Sequence, residues 1–270
     1  MLRSFVDRRP TGLLAAAILL AVASFSAPAA AASQSFDQWL AGVRTEARAR
    51  GVSDRIFDAA FDGVQPIPRV IELDRNQPEF RLKFDEYLGK VVTAGRIATA
   101  RRLMAEHAAL LDEVAAKYKV QKRFIVALWG IESDFGRITG GFPVVAALAT
   151  LAYDGRRSAF FRKELLLALD ILQQGHIAPA DMKGSWAGAM GQNQFMPSSF
   201  HAFAVDHNGD GHKDIWTTRG DVFASAANYL SSAGWREGMP WGGRVTLPAA
   251  FDSGLAGNRS TLPLAEHRPD

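Results

Sequence analysis

Apolar residues recur at helical spacing through most of the chain. Phe36, Trp39, Leu40, Val43 and Ala47 follow an i, i+3, i+4, i+7 rhythm and predict an amphipathic helix that ends at Gly51. Ser53 reads as the cap of a second, shorter helix carrying Ile56, Phe57, Ala60 and Phe61, closed by Gly63. Three prolines between Val64 and Pro78 predict an extended or looped connection. A long helix is predicted from about Gly95 to Tyr118, with Leu103, His107, Leu111, Val114 and Tyr118 on one side. His107 reads there as a partly buried helix residue rather than a ligand. Three more apolar stripes mark helices: Ile125, Leu128 and Trp129; Phe161, Leu165, Ala168, Leu169 and Leu172; and Ala224, Ala227 and Leu230 before Gly234. The pattern predicts a mainly α fold without internal repeats.

The first 32 residues are of another kind. Arg3, Arg8 and Arg9 precede an apolar run from Leu13 to Phe25, and small residues follow to Ala32. A basic start, a short apolar stretch and an A-x-A ending predict a cleaved secretory signal peptide over 1–32, hence a periplasmic location, rather than a membrane span. The remainder divides into one domain over 33–255 and a tail over 256–270. Composition narrows the function. The 270 residues are 48% hydrophobic and 22% charged, an ordinary globular balance. The formal charge of +3 drops to +1 without the leader's three arginines and one aspartate, which gives no support to nucleic-acid binding. There is no cysteine, so neither a disulfide nor a lipid-modified thiol is available, and no stable membrane anchor is expected.

Candidate chemistry sits in three places. Glu132 shares a helix face with Ile125, Leu128 and Trp129, and a carboxyl on an apolar face loses solvation when ionised. Its pKa should rise, as a general acid near neutral pH requires. A Glu that swings into solvent, or one neutralised by Arg137, is the competing reading. Asp134 should face away and makes a poor second carboxylate. Residues 184–200 then mix glycines with Ser185, Gln192, Asn193, Gln194 and Phe195. Aromatic faces and amides of this kind bind sugar rings, although an ordinary glycine-rich turn would look similar. Finally, Asp206, Asn208, Asp210 and Gly211 match the first half of an EF-hand loop, with the His212 carbonyl at position 7 and Asp214 at position 9. Position 12 is Thr217 rather than glutamate, so Asp221 is the candidate that closes a longer loop over 206–221. An all-oxygen set favours a structural Ca²⁺; an Asx-rich turn without an ion is the alternative.

Together these residues resemble the lytic murein transglycosylases of the membrane-bound B type. The resemblance rests on Val70 to Phe80, on Trp129-Gly130-Ile131-Glu132-Ser133-Asp134-Phe135-Gly136, and on Ala147 to Ala152 with Asp154-Gly155-Arg156-Arg157. It continues through Gly184 to Phe200, the acidic loop to Trp216, and Ala226-Ala227-Asn228-Tyr229-Leu230. It implies a goose-type, lysozyme-like helical domain with an EF-hand-like loop. The implied reaction cleaves the β-1,4 bond between N-acetylmuramic acid and N-acetylglucosamine in peptidoglycan strands, with closure of a 1,6-anhydro ring and no catalytic cofactor. Glu132 would be the sole acid/base, because the sugar's own 6-hydroxyl replaces the nucleophile of an ordinary glycosidase. By position, Tyr87, Ser185, Gln194 and Phe195 match the family's glycan contacts, and Arg156 and Arg157 its basic pair. Asp206, Asn208, Asp210, His212 and Asp221 match its metal loop. The family pattern runs on past Leu264 into a segment with a Tyr-Asn pair, whereas this sequence stops at Asp270. A hydrolytic muramidase and an inactive peptidoglycan-binding fragment are the alternatives.

Overall fold

A computed structural model of the chain describes residues 34–76, 84–238, 242, 246 and 249–252. The predicted signal peptide, Gln77 to Phe80 of the first motif and the tail over 256–270 lie outside them. The described elements run α1 (Phe36–Ala49), α2 (Asp54–Phe61), α3 (Pro68–Arg75), α4 (Phe84–Val91), α5 (Ala94–Glu106), α6 (Ala108–Tyr118), α7 (Lys122–Ser133), β1 (Phe142–Pro143), α8 (Val144–Asp154), α9 (Ser158–Gln173), β2 (Lys183–Gly184), α10 (Pro197–Phe203) and α11 (Arg219–Ser232).

Local chemistry explains the helix starts. Ser35 and Gln38 form a reciprocal capping box on α1, and the Ser53 hydroxyl accepts from Ile56 N on α2. Each such cap contributes about 1 kcal/mol. The segment 64–78 departs from the looped expectation, because Pro68 opens the helix α3. Proline at a first helical position has no N–H to lose, and its ring sets φ for the turn. Tertiary partners complete it: the Thr150 hydroxyl accepts from Ile67 N at 3.0 Å, and Val70 and Asp74 are buried. The single helix expected over 95–118 is two. At His107 the backbone leaves helical values (φ −102°, ψ 24°), so α5 packs on α7 while α6 lies on α11. The partly buried imidazole of His107 meets the Trp129 and Phe223 rings at 6.0 and 5.7 Å.

The apolar faces build two cores. One gathers α1, α2, α3, α8, α9 and α10, and at its centre α8 buries every residue from Val144 to Ala152. A helix apolar on all sides belongs inside. Full burial of side chains such as Leu148 and Leu151 contributes about 1.5–3 kcal/mol each. The second core joins α6, α7 and α11 through Leu111, Val114, Ile125, Trp129 and Phe223. Between them, β1 pairs antiparallel with β2, Phe142 opposite Gly184. Single bridges carry the pairing on from Gly184 to Met190 and from Met190 to Phe195. The cores therefore meet where α7 faces the 188–196 segment.

Candidate active site

Helix α7 ends abruptly. Asp134 and Phe135 both adopt left-handed backbone (φ 50° and 60°), followed by Gly136 at φ 83°. Phe135 folds back beneath Gly130, where a Cβ would stand 2.7 Å from its ring, and its ring meets Trp129 edge-on at 5.4 Å. Gln194, on the facing segment, is left-handed too (φ 49°). Such conformations are unfavourable for residues with side chains and concentrate at functional sites.

Glu132 and that facing segment enclose a pocket of about 590 Å³, counting the space open to solvent, lined by Leu128, Trp129, Glu132, Asn193, Gln194, Phe195, Met196, Ser199, Ala226 and Tyr229. Glu132 is the single carboxylic acid of that lining. Its side chain is accessible from the cleft, yet enough apolar wall surrounds the carboxyl that desolvation raises its pKa above the ordinary 4.5. Among the described residues it makes no hydrogen bond or ion pair. Arg137 pairs instead with Asp134, which also meets Arg96 at 3.5 Å, so Glu132 is not neutralised by Arg137 and Asp134 is engaged elsewhere.

The residues expected to touch glycan are distributed unevenly. Gln194 and Phe195 line the pocket with Glu132. The Gln194 amide donates to the carbonyls of Thr139 and Gly191 at 3.0 and 2.9 Å. Phe195 is mostly buried against Phe203 and Tyr229, a wall more than a free platform. The Ser185 hydroxyl accepts from Ala187 N and Ala189 N, and so shapes the glycine-rich turn. Tyr87 stands exposed on α4. Arg156 and Arg157, between α8 and α9, both bind the buried Asp74 of α3 at 2.5 Å. Burial opposes ionisation of Asp74, but the two guanidiniums outweigh it and hold that carboxyl below its usual range. Neither arginine lines the pocket. Asn193, read in the sequence as one of the sugar-binding amides, lines the pocket as well, and so do Met196, Ser199 and Tyr229, to which the sequence reading gave no individual role.

The loop over 206–221 folds on its own carboxylates. Asp206 accepts from the amides of Gly209, Asp210 and Gly211, and Asn208 bonds Asp210. Asp221, in the first turn of α11, is fully buried and accepts from His207 N and Asp214 N. The His212 ring turns away to the Gly175 carbonyl, while Asp214 caps residues 216–218 rather than facing the loop centre. Among the described residues no three His, Asp or Glu side chains converge on one point. The donor chemistry nevertheless suits a hard cation. Burial raises the Asp221 pKa, and the Asp206 and Asp210 charges add to the rise, an accumulation that a divalent ion relieves.

Comparison with known proteins agrees with this geometry. The profile of the transglycosylase SLT domain family matches residues 35–269, and the chain belongs to that family. Its relatives place it with the B-type lytic murein transglycosylases. It is 33% identical over 195 residues to membrane-bound lytic murein transglycosylase B of Escherichia coli (strain K12), covering 67% of this chain and 54% of that protein. It superposes on SltB3 from Pseudomonas aeruginosa in complex with NAG-NAM-pentapeptide with a TM-score of 0.84 at 48% identity, covering 87% of this chain and 63% of that one. It matches the Escherichia coli lytic transglycosylase Slt35 in complex with calcium with a TM-score of 0.66 at 30% identity, covering 75% and 64% of the two chains. The chain thus spans less than two thirds of these relatives. The mainly helical, lysozyme-like fold is the expected one. Among the described residues no helix is long and apolar enough to cross a membrane.

Proposed function

We propose that the chain is a peptidoglycan lytic transglycosylase that cleaves the MurNAc-β-1,4-GlcNAc bond with Glu132 as its single acid/base. The observation that carries this reading is Glu132 itself: a carboxyl unpaired among the described residues, with a raised pKa, in an apolar-walled pocket. Protonated Glu132 gives its proton to the glycosidic oxygen as the bond to the muramic anomeric carbon breaks. The resulting carboxylate takes the proton of the muramic 6-hydroxyl, whose oxygen bonds that same carbon. The proton count closes and no water is consumed. An internal hydroxyl is already positioned, which removes the need for a second carboxylate. SltB3 has been solved with NAG-NAM-pentapeptide and with NAG-anhNAM-pentapeptide, and both support the substrate class and the ring-closed product. Gln194 and Phe195 hold the sugar at the pocket wall, and Ser185, Tyr87, Arg156 and Arg157 extend the contact along the strand. Residues 1–32 direct the chain to the periplasm, where this substrate lies.

The test is mass spectrometry of soluble fragments released from purified sacculi. Fragments ending in 1,6-anhydromuramic acid are expected. Reducing ends would replace the reading by a hydrolytic muramidase, and binding without release would leave a peptidoglycan-binding protein.

Asp206, Asn208, Asp210, the His212 carbonyl and Asp221 hold Ca²⁺ in this reading, and the ion braces the loop that precedes α11. Adding Ca²⁺ to chelator-treated protein is expected to raise the thermal midpoint, and Asp206→Asn to diminish that rise. An unchanged midpoint when Ca²⁺ is returned to the chelator-treated wild-type protein would refute the calcium site.

A further inference from the structure

Gln192 is buried at 4% exposure and does not line the pocket, yet it bonds to α7, to the first residue of α11 and to the loop that precedes it. Its Oε1 accepts from Trp129 Nε1 at 2.8 Å and from Arg219 Nη1 at 2.6 Å, and its Nε2 donates to the Trp216 carbonyl at 2.6 Å. Its main chain is held as closely: the carbonyl accepts from Ser133 Oγ at 2.8 Å, and the amide donates to the Ile215 carbonyl at 2.8 Å. Trp129 and Ser133 bracket Glu132 on α7. Gln194 and Phe195, two and three residues beyond Gln192, form the opposite wall. Gln192 thus ties the helix that carries the acid to the segment it faces.

The amide has a single workable orientation. Indole and guanidinium nitrogens only donate, and a carbonyl only accepts, so a turned amide would oppose donor to donor and acceptor to acceptor. Arg219 enforces this. Its guanidinium lies over the Trp129 ring at 4.8 Å and, among the described residues, forms no ion pair, which leaves Gln192 Oε1 as its hydrogen-bond acceptor. Close approach is built in at Gly136, where a Cβ would fall 2.3 Å from Oε1. A buried amide whose oxygen accepts twice and whose nitrogen bonds a carbonyl, with an arginine present to orient it, is more than packing requires.

We propose that Gln192 is a positioning residue for the reaction, holding Glu132 at a set distance from the Gln194–Phe195 wall, with Arg219 fixing the orientation of its amide. The inference rests on the catalytic reading of Glu132. Misplacement of reacting groups by about 1 Å lowers rates by up to about a hundredfold without a matching loss of binding, so the signature is in the maximal rate.

The experiment compares Gln192→Met, Arg219→Met and Arg219→Lys with wild type and Glu132→Gln. Initial release of soluble fragments is measured over a range of sacculus concentrations, well below each thermal midpoint. Gln192→Met and Arg219→Met are expected to lower the maximal rate about tenfold to a hundredfold while half-saturation changes less than about threefold. Arg219→Lys, which still donates to Oε1, should recover most of the rate. A maximal rate of Gln192→Met close to wild type, or an effect confined to half-saturation, would overturn the proposal. If Gln192→Met does not fold, the two Arg219 variants decide by the same criteria: Met as active as wild type, or Lys as impaired as Met, overturns it. Activity in Glu132→Gln would instead remove the catalytic assignment, and is read independently of the other variants.

Discussion

Glu132→Gln is expected to lower fragment release from sacculi by at least about a thousandfold, since one group acts as both acid and base and such catalysis contributes about 10²–10⁴-fold per role. Binding to sacculi should persist, because the pocket walls are untouched. Stability should not fall either, and the sign follows from the raised pKa. The folded state holds the Glu132 proton more tightly than the unfolded chain does, so ionisation penalises the folded state as pH rises past the ordinary 4.5. A neutral glutamine escapes that penalty. The variant's midpoint should equal or exceed that of wild type near neutral pH, and the two should converge in acid. In wild type the same shift keeps the acid form present above pH 4.5, so the alkaline limb of the rate profile should lie above that value. Full lysis by the variant would transfer the chemistry to another residue; loss of fold would make the substitution uninformative about catalysis and is not expected from a side chain that is accessible from the cleft and unpaired among the described residues.

The second large effect is structural. Gly140 precedes β1 at φ 94°, and a Cβ there would stand 2.1 Å from the Gly184 carbonyl oxygen and 2.6 Å from Ser185 N. Every obstructing atom is backbone, so no side chain can move aside. Left-handed strain and overpacking together cost about 2–5 kcal/mol, and Gly140→Ala should lower the midpoint by roughly 5–15 °C in a domain of this size. Activity should fall as well, because the bridges from Gly184 through Met190 to Phe195 place the pocket wall. Gly141→Ala is the control. Nothing lies within 4 Å of its Cβ and its φ is ordinary, so its midpoint should match wild type. Equal behaviour of the two variants would contradict the close backbone packing of Gly140 against Gly184 and Ser185.

The sequence-level expectations succeeded where the physics is local. Ser53 caps its helix because a hydroxyl one turn from a free amide is enough, and Gly51 and Gly63 end theirs in positive φ as glycine allows. They failed at Pro68 and His107. Proline is compatible with either a loop or a helix start, and the choice at Pro68 was made by Thr150, a hydroxyl 83 residues away from the Ile67 amide it accepts. At His107 the apolar stripe continues without interruption, and nothing in it announces that α5 and α6 pack on different partners.

For the site, the sequence by itself determined that a carboxyl would lie on the apolar face of a short helix, near a glycine-rich, amide-bearing segment. Both are properties of side-chain type and period, which short stretches of chain carry complete. Only the tertiary structure decided which surfaces meet. It brought Tyr229 into the lining, drew Arg156 and Arg157 onto Asp74, turned Arg137 from Glu132 to Asp134, and gathered Trp129, Trp216 and Arg219 around Gln192. Most of these contacts join residues many turns apart in the chain. Their geometry depends on how two cores settle against each other, a collective outcome of packing that no local period encodes.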